Sequence, residues 1–344
     1  MKKMFYVLSF AFIVILFLSC SGSSDNIYDD NSEEKEDENP VEDTDFESDL
    51  NNGESVDNDY EVPDNAPGTW CEKLSAGVNE GPEIENSRRV FNLALPSGDV
   101  PKDGWPVIFS WHGVEDTMEN FKNFLDPYVD NKIMSFIAVT PENDPEYAMT
   151  GQVPDGIDWD ILNITDGSVD AVFFDEIKAC LKKNYEIDEN RVYSTGFSAG
   201  AINTNALGVL RSEDLASVLT YSGGYLGNNK DQLGTASAIV SWPSLYTENR
   251  YVEMRVHGGE EDSFDLSVTK IHFDQMAEND QYMLNNKGHE AIICAHNKGH
   301  VMSGVSVQGL LTFFKDHPRG TFDSPYGESF PDDYFESCEF FEKF

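Results

Sequence analysis

A serine hydroxyl becomes a nucleophile when the chain lifts it clear of its neighbours and supplies a base. Gly196-Phe197-Ser198-Ala199-Gly200 has the form of a segment that does the lifting. The β-prone run Arg191-Val192-Tyr193-Ser194-Thr195 leads into it, and small, helix-compatible residues follow over 201–210. A strand that turns sharply into a helix strains the residue at the turn. Small residues are therefore needed two places before and two after, where Gly196 and Gly200 stand. The start of the helix also directs amide N–H groups and partial positive charge at the reacting atoms. The chemistry expected of Ser198 is attack on a carbonyl carbon.

Such a serine needs a base to take its proton and a carboxylate to hold that base. After a turn of this kind the acid, then the base, follow along the chain. They are expected just past strand ends. His257-Gly258-Gly259-Glu260-Glu261-Asp262 follows one strand, and Asp262 is the candidate acid. Glu261 is the alternative, four residues after His257. His296-Asn297-Lys298-Gly299-His300 follows the last strand. His300 is the candidate base because Gly299 permits a tight approach; His296, nearer the strand end, is the alternative. His289 precedes its strand and stands at the wrong end, and His272 and His317 read as solvated loop residues. The oxyanion formed by attack requires two fixed N–H donors. Ala199 supplies one. The loop Trp111-His112-Gly113-Val114 supplies the other, through Val114 with Gly113 behind it, and His112 either orients that loop or is a buried structural residue. Trp159, Tyr225 and Trp242 are candidates to line a substrate cleft, against a reading as core or rim packing.

The elements that must position these residues alternate between strand and helix. Strands are expected at 88–95 (an edge strand), 105–111, 133–140, 191–195, 216–221, 251–256 and 290–295. Helices are expected at 119–129, 169–184 with Ser168 as cap, 201–210, 266–287 and 305–315. Strands separated by helices of this length imply an α/β, doubly wound, mostly parallel sheet in a single domain.

Composition limits what such a domain can do. The 344 residues carry a formal charge of −40, which excludes binding to a nucleic-acid backbone or an anionic membrane surface by charge repulsion. Lys2 and Lys3 followed by an apolar run over 4–18 read as a lipoprotein-type signal peptide, residues 1–19. Phe17-Leu18-Ser19-Cys20 resembles a bacterial lipobox, making Cys20 the candidate lipidation site, with simple secretion as the alternative. The only membrane association expected is through that lipid anchor. Residues 20–66 read as an acidic disordered linker: 25–64 hold 18 Asp and Glu against one Lys, too charged to bury a core. Residues 67–344 form the expected catalytic domain. Its four cysteines, Cys71, Cys180, Cys294 and Cys338, suggest two disulfides in an exported protein. Three connectivities are open, and Cys71 with Cys338 would tie the domain's ends together. No pair has the spacing of a zinc site.

Trp111-His112-Gly113, Asp170-Ala171-Val172-Phe173-Phe174, the stretch 191–200, His257-Gly258-Gly259 and Gly299-His300 together resemble the polyhydroxybutyrate depolymerase and feruloyl/acetylxylan esterase family. The resemblance covers about residues 85–316. It implies an exported α/β-hydrolase that cleaves carboxylic esters, polymeric or small, without metal or organic cofactor. The chain departs from the pattern in two places. The stretch around Asp262 is one residue longer than the family's usual His-Gly-x-x-Asp, and 222–249 matches no substrate-binding pattern. Two rival functions remain compatible with the residues: a serine peptidase on the same fold, and a surface binding protein on a hydrolase scaffold without turnover.

Overall fold

In the computed structural model the described residues are 68–144, 157–245, 250–266, 269–327, 329–331 and 337–340. The expected leader, Cys20 and the acidic linker lie outside them. Eleven strands occur among the described residues: β1 (Gly77–Ile84), β2 (Ser87–Ala94), β3 (Trp105–Trp111), β4 (Ile137–Pro141), β5 (Ile187–Phe197), β6 (Ser217–Tyr221), β7 (Val252–His257), β8 (Ser263–Asp265), β9 (Lys270–His272), β10 (Glu290–Ala295) and β11 (Cys338–Phe340). The helices are α1 (Met118–Phe121), α2 (Val169–Asn184), α3 (Ala199–Leu210), α4 (Phe273–Asn286) and α5 (Val307–Asp316). Nine strands form one sheet in the order β1-β2-β4-β3-β5-β6-β7-β10-β11, and β8 with β9 forms a separate hairpin. β4, β3, β5, β6, β7 and β10 run parallel; β1, β2 and β11 are antiparallel to their neighbours.

β3, β4, β6 and β7 are buried along their whole length because helices cover both faces of the sheet. Along β3, Val107, Phe109 and Trp111 enter the core beneath α2, α3 and α4, whereas Ile108 enters the opposite core with Leu310, Leu311, Phe313 and Phe314 of α5. This is the doubly wound, mostly parallel sheet expected from the alternation of elements.

The departures have physical causes. The strand expected at an edge is β2, one place in, because β1 lies outside it. β1 carries Glu80, Pro82 and Glu83 and shifts register between Glu80 and Glu83, so its sequence reads as loop; an outer strand with a bulge is where a proline is tolerated. The helix expected over 119–129 breaks after α1 into two 3₁₀ turns, Lys122–Phe124 and Asp126–Tyr128, where Pro127 lacks an N–H to donate. The helix expected from 266 starts at Phe273, and residues before it form the β8–β9 hairpin, which pairs Phe264 with Ile271. Ser168 does not cap α2. Its Oγ accepts the Thr165 N–H at 3.0 Å, and Asp160 Oδ2 instead receives the Val169 N–H at 3.2 Å. The disulfides are Cys71–Cys180 and Cys294–Cys338, not Cys71–Cys338. Cys338 stands opposite Cys294 in the β10/β11 register, and Cys71 lies in a 3₁₀ turn with its Cα 5.6 Å from that of Cys180 on α2.

Candidate active site

β5 ends at Phe197 and α3 begins at Ala199, so Ser198 alone makes the turn. Its backbone stands at φ 55°, ψ −121°, a strained conformation for a residue with a side chain. The flanking glycines follow from this geometry. A Cβ on Gly196 would lie 2.4 Å from the Gly200 carbonyl oxygen, and one on Gly200 would lie 2.1 Å from that of Trp111. The turn is pinned by the Ser198 N–H, which donates to Tyr221 O of β6 at 2.9 Å.

The β7–β8 and β10–α5 loops meet beside this serine. Gly299 N–H donates to Gly258 O at 3.0 Å, and a Cβ on Gly258 would sit 1.9 Å from Gly299 O, so the two backbones touch only because one is glycine. The contact brings His300 between Asp262 and Ser198. His300 Nδ1 is 2.7 Å from Asp262 Oδ1, and His300 Nε2 is 3.0 Å from Ser198 Oγ. A carboxylate only accepts, so Nδ1 carries the hydrogen and the Nε2 lone pair faces the serine hydroxyl. The imidazole is fixed by packing. Phe273 stacks on it at 4.9 Å and 12°, Phe197 leans on it at 4.8 Å and 31°, and Phe264 stands at 6.2 Å.

Asp262 is fully buried, whereas Glu261 is exposed. The Asp262 carboxylate receives three donors: His300 Nδ1–H on Oδ1, and both Ser222 Oγ–H and Gly258 N–H on Oδ2 at 2.7 Å each. His296 is half-buried, its Nδ1 accepts the Lys298 N–H at 3.2 Å, and desolvation lowers its pKa. His257 is also lowered by burial, against the pull of Asp262 and Asp274, and its Nδ1 accepts the Gly259 N–H at 3.2 Å. His317 is not a solvated loop residue. It is fully buried, with Nδ1–H donating to Phe313 O and Nε2 2.9 Å from Ser324 Oγ.

Gly113 packs against the turn: a Cβ there would be 3.4 Å from Ser198 Cβ. His112, fully buried, donates from Nδ1 to Gly113 O at 2.8 Å and places Nε2 3.3 Å from Glu142 Oε1. The carbonyl and N–H of a trans peptide point opposite ways. Holding Gly113 O on the His112 side therefore turns the Val114 N–H the other way. Ala199 opens α3, so its N–H has no acceptor within the helix.

Of the three aromatic residues expected at a cleft, Trp159 and Tyr225 are buried and Trp242 is half-buried. Trp159 is fully buried in the core, and its indole N–H supports His112 O at 3.0 Å. Tyr225 is 2% exposed, its hydroxyl tied to Tyr251 and Glu253. The half-buried Trp242 donates from Nε1 to Ile161 O at 2.7 Å. Tyr225 and Trp242 line a cavity of about 180 Å³ that neither Ser198 nor His300 borders. Among the described residues no group of three His, Cys, Asp or Glu side chains is placed to hold a metal ion. Ser222, Phe273 and Glu142 also touch residues of this site, Asp262, His300 and His112 in turn. Ser222 alone carried a signal, as a hydroxyl at the end of a strand beside Gly223-Gly224.

No protein-family model matches the chain. Among curated proteins it is similar to feruloyl esterase D of Neurospora crassa, 26% identical over 162 residues, 44% of this chain and 54% of that protein. The chain thus matches about half the length of this relative. Among solved structures it resembles native pOPH, with a TM-score of 0.61 at 17% identity over 80% of this chain and 97% of that one. It also resembles native sOPH, with a TM-score of 0.61 at 19% identity over 78% of this chain and 94% of that one. The likeness to the solved structures is one of fold, and the fold is that of the α/β-hydrolases.

Proposed function

We propose that this α/β-hydrolase is an exported serine esterase in which Ser198, His300 and Asp262 form the catalytic triad. The observation that carries the reading is the continuous hydrogen-bond chain from Ser198 Oγ through His300 to Asp262, 3.0 and 2.7 Å, set at a strained strand-to-helix turn. Ser198 Oγ attacks the ester carbonyl carbon while His300 Nε2 takes its proton. Asp262 holds the resulting imidazolium through Nδ1–H. The Val114 and Ala199 amides bind the oxyanion. His300 then returns the proton to the departing alcohol, leaving an acyl group on Ser198. A water molecule, deprotonated by His300, releases the acid and restores the serine.

The substrate class is a carboxylic ester carried on a polymer, a feruloyl or acetyl ester of polysaccharide or a polyester. Similarity to a feruloyl esterase favours the first. Export is supported by the lysine-led apolar run at the N-terminus and by two disulfides. Among the described residues no helix is long and apolar enough to cross a membrane. In this reading residues 1–19 are removed, Cys20 is acylated, 20–66 is the tether and 67–344 is the catalytic domain. Labelled palmitate incorporated by the wild type and not by Cys20→Ala supports the anchor; equal labelling refutes it.

A fluorophosphonate probe is expected to label the wild type and not Ser198→Ala. Labelling of both removes Ser198 from its role. A panel of p-nitrophenyl acetate, feruloyl esters, acetylated xylan, polyhydroxybutyrate and peptide amides tests the bond. Turnover of the amides alone replaces the esterase reading with a peptidase.

A further inference from the structure

We propose that Ser222 is a positioning residue of this site, acting on the reaction through Asp262; the proposal rests on the triad reading above. Ser222 follows the last residue of β6, the strand between that of Ser198 and that leading to Asp262. It is 1% exposed, and its Oγ–H donates to Asp262 Oδ2 at 2.7 Å. Gly258 N–H meets the same oxygen at 2.7 Å from the loop after β7. Oδ2 is therefore gripped by donors from two separate strand ends while Oδ1 receives His300. The carboxylate cannot turn about its Cβ–Cγ bond without losing all three. The preceding residue, Tyr221, accepts the Ser198 N–H through its carbonyl, so two adjacent residues hold the nucleophile and the acid at fixed separation.

The backbone supplies an independent observation. Ser222 stands at φ 54°, in the left-handed region, with its N–H donating to Val256 O at 2.7 Å. That conformation strains a serine and costs a glycine nothing. Glycines follow immediately at 223 and 224. Backbone geometry alone selects glycine at 222 as well, and what serine adds is the hydroxyl on Asp262.

The hydroxyl has two effects on the relay. It fixes the carboxylate plane toward His300, which favours proton transfer. It also draws negative charge from Asp262, which weakens the hold on the imidazolium. The ionisable groups facing Asp262 are His300 from the β10–α5 loop, His257 at the end of β7 and His296 after β10; Asp274 of α4 and Arg255 act on His257. Ser222 is a neutral side-chain donor beside them, sharing Oδ2 with the Gly258 N–H.

The test compares Ser222→Gly with Ser222→Ala in the full chain. Both are expected to lower kcat on p-nitrophenyl acetate about tenfold, with KM within twofold of the wild type. Both are expected to move the acidic limb of the kcat/KM profile upward by roughly half a pH unit. Stability is expected to separate them, the glycine variant melting above the alanine variant because it relieves the strained φ. Activity that follows stability, with Ser222→Gly as active as the wild type, overturns the proposal. So does an acidic limb that stays in place in both variants. Proton NMR of the His300 ring, titrated with pH, reads the same coupling without turnover. If the wild type cleaves no ester and the His300 midpoint still rises in both variants, the esterase reading fails and the positioning role stands. If the midpoint does not move, the positioning role fails.

Discussion

Replacing Asp262 by asparagine removes one charge and almost no volume, and the structure dictates the consequence. Three donors converge on the carboxylate, His300 Nδ1–H, Ser222 Oγ–H and Gly258 N–H, and an amide offers one accepting oxygen where the carboxylate offers two. If the asparagine oxygen faces His300, its NH₂ opposes the Gly258 N–H. That donor is fixed and buried, and the mismatch costs about 1–3 kcal/mol. If the NH₂ faces His300, Nδ1 must become the acceptor and the ring proton moves to Nε2. There it points at Ser198 Oγ, which can no longer hand over its proton. Both arrangements also remove the charge that holds the imidazolium. In serine proteases the corresponding exchange lowers kcat about 10⁴-fold. The same order is expected here, a barrier increase of about 5 kcal/mol. The assay is the initial rate on p-nitrophenyl acetate, normalised to folded protein by far-UV circular dichroism. The matched control is Glu261→Gln, which alters an exposed carboxylate next in sequence and is expected to leave kcat within about twofold. An Asp262→Asn enzyme within tenfold of wild type, or a Glu261→Gln enzyme that fails, refutes the reasoning.

Other perturbations test other parts of the architecture. Gly200→Ala would place a Cβ against the backbone oxygens of Trp111 and His112, neither of which can rotate away; a loss of about 2–4 kcal/mol in urea unfolding is expected, and an unchanged midpoint argues against the turn. Phe273→Leu keeps an apolar residue under His300 and removes the parallel ring 4.9 Å from it, so kcat/KM is expected to fall about three- to tenfold with KM little changed. Burial pushes His317 down to about 4 from an ordinary value of 6.5. The unfolded chain therefore takes the proton first as pH falls. Stability is fully present above 6.5 and is lost between 6.5 and 4, by up to about 3 kcal/mol for a fully buried ring. Asp160 and Asp280, raised by burial to about 6, act in the opposite sense: their contribution is present below 3.8 and is lost as pH rises through 6. Both are common to the wild type and His317→Gln, so the difference between the two proteins from pH 7 to pH 4.5 isolates the histidine. Parallel stability curves would show that the ring is solvated.

The sheet was legible in the sequence where burial is two-sided. β3, α2 and β10 are continuous or periodic apolar segments whose patterns allow one reading, and the sequence bounds meet the observed ones. The edges were not legible. β1 is half exposed, carries a proline and two acids, and is held as a strand only by pairing with β2; β11 is three residues long and is held by β10 and Cys294. Local propensity carries little information when the partner strand supplies the hydrogen bonds. The β8–β9 hairpin was missed for the same reason, and with it the placement of Phe264 and Phe273 around His300.

At the site, the sequence by itself determined the turn and the order of its companions. Gly196, Ser198 and Gly200 are residue types that a strand-to-helix turn requires, and strand ends are readable, so Asp262, Glu261, His296 and His300 could all be nominated. Tertiary structure decided among them. Asp262 and Glu261 are chemically alike and adjacent, and only the packing of two loops through Gly258 and Gly299 buries one against His300 and leaves the other in water. The same holds for Trp159 and Tyr225, whose types suit a cleft and whose environment is core, and for Ser222, whose meaning lies in a carboxylate forty residues away. Residue type and spacing report what a chain can do locally. Burial and contact between distant segments exist only once the sheet has assembled.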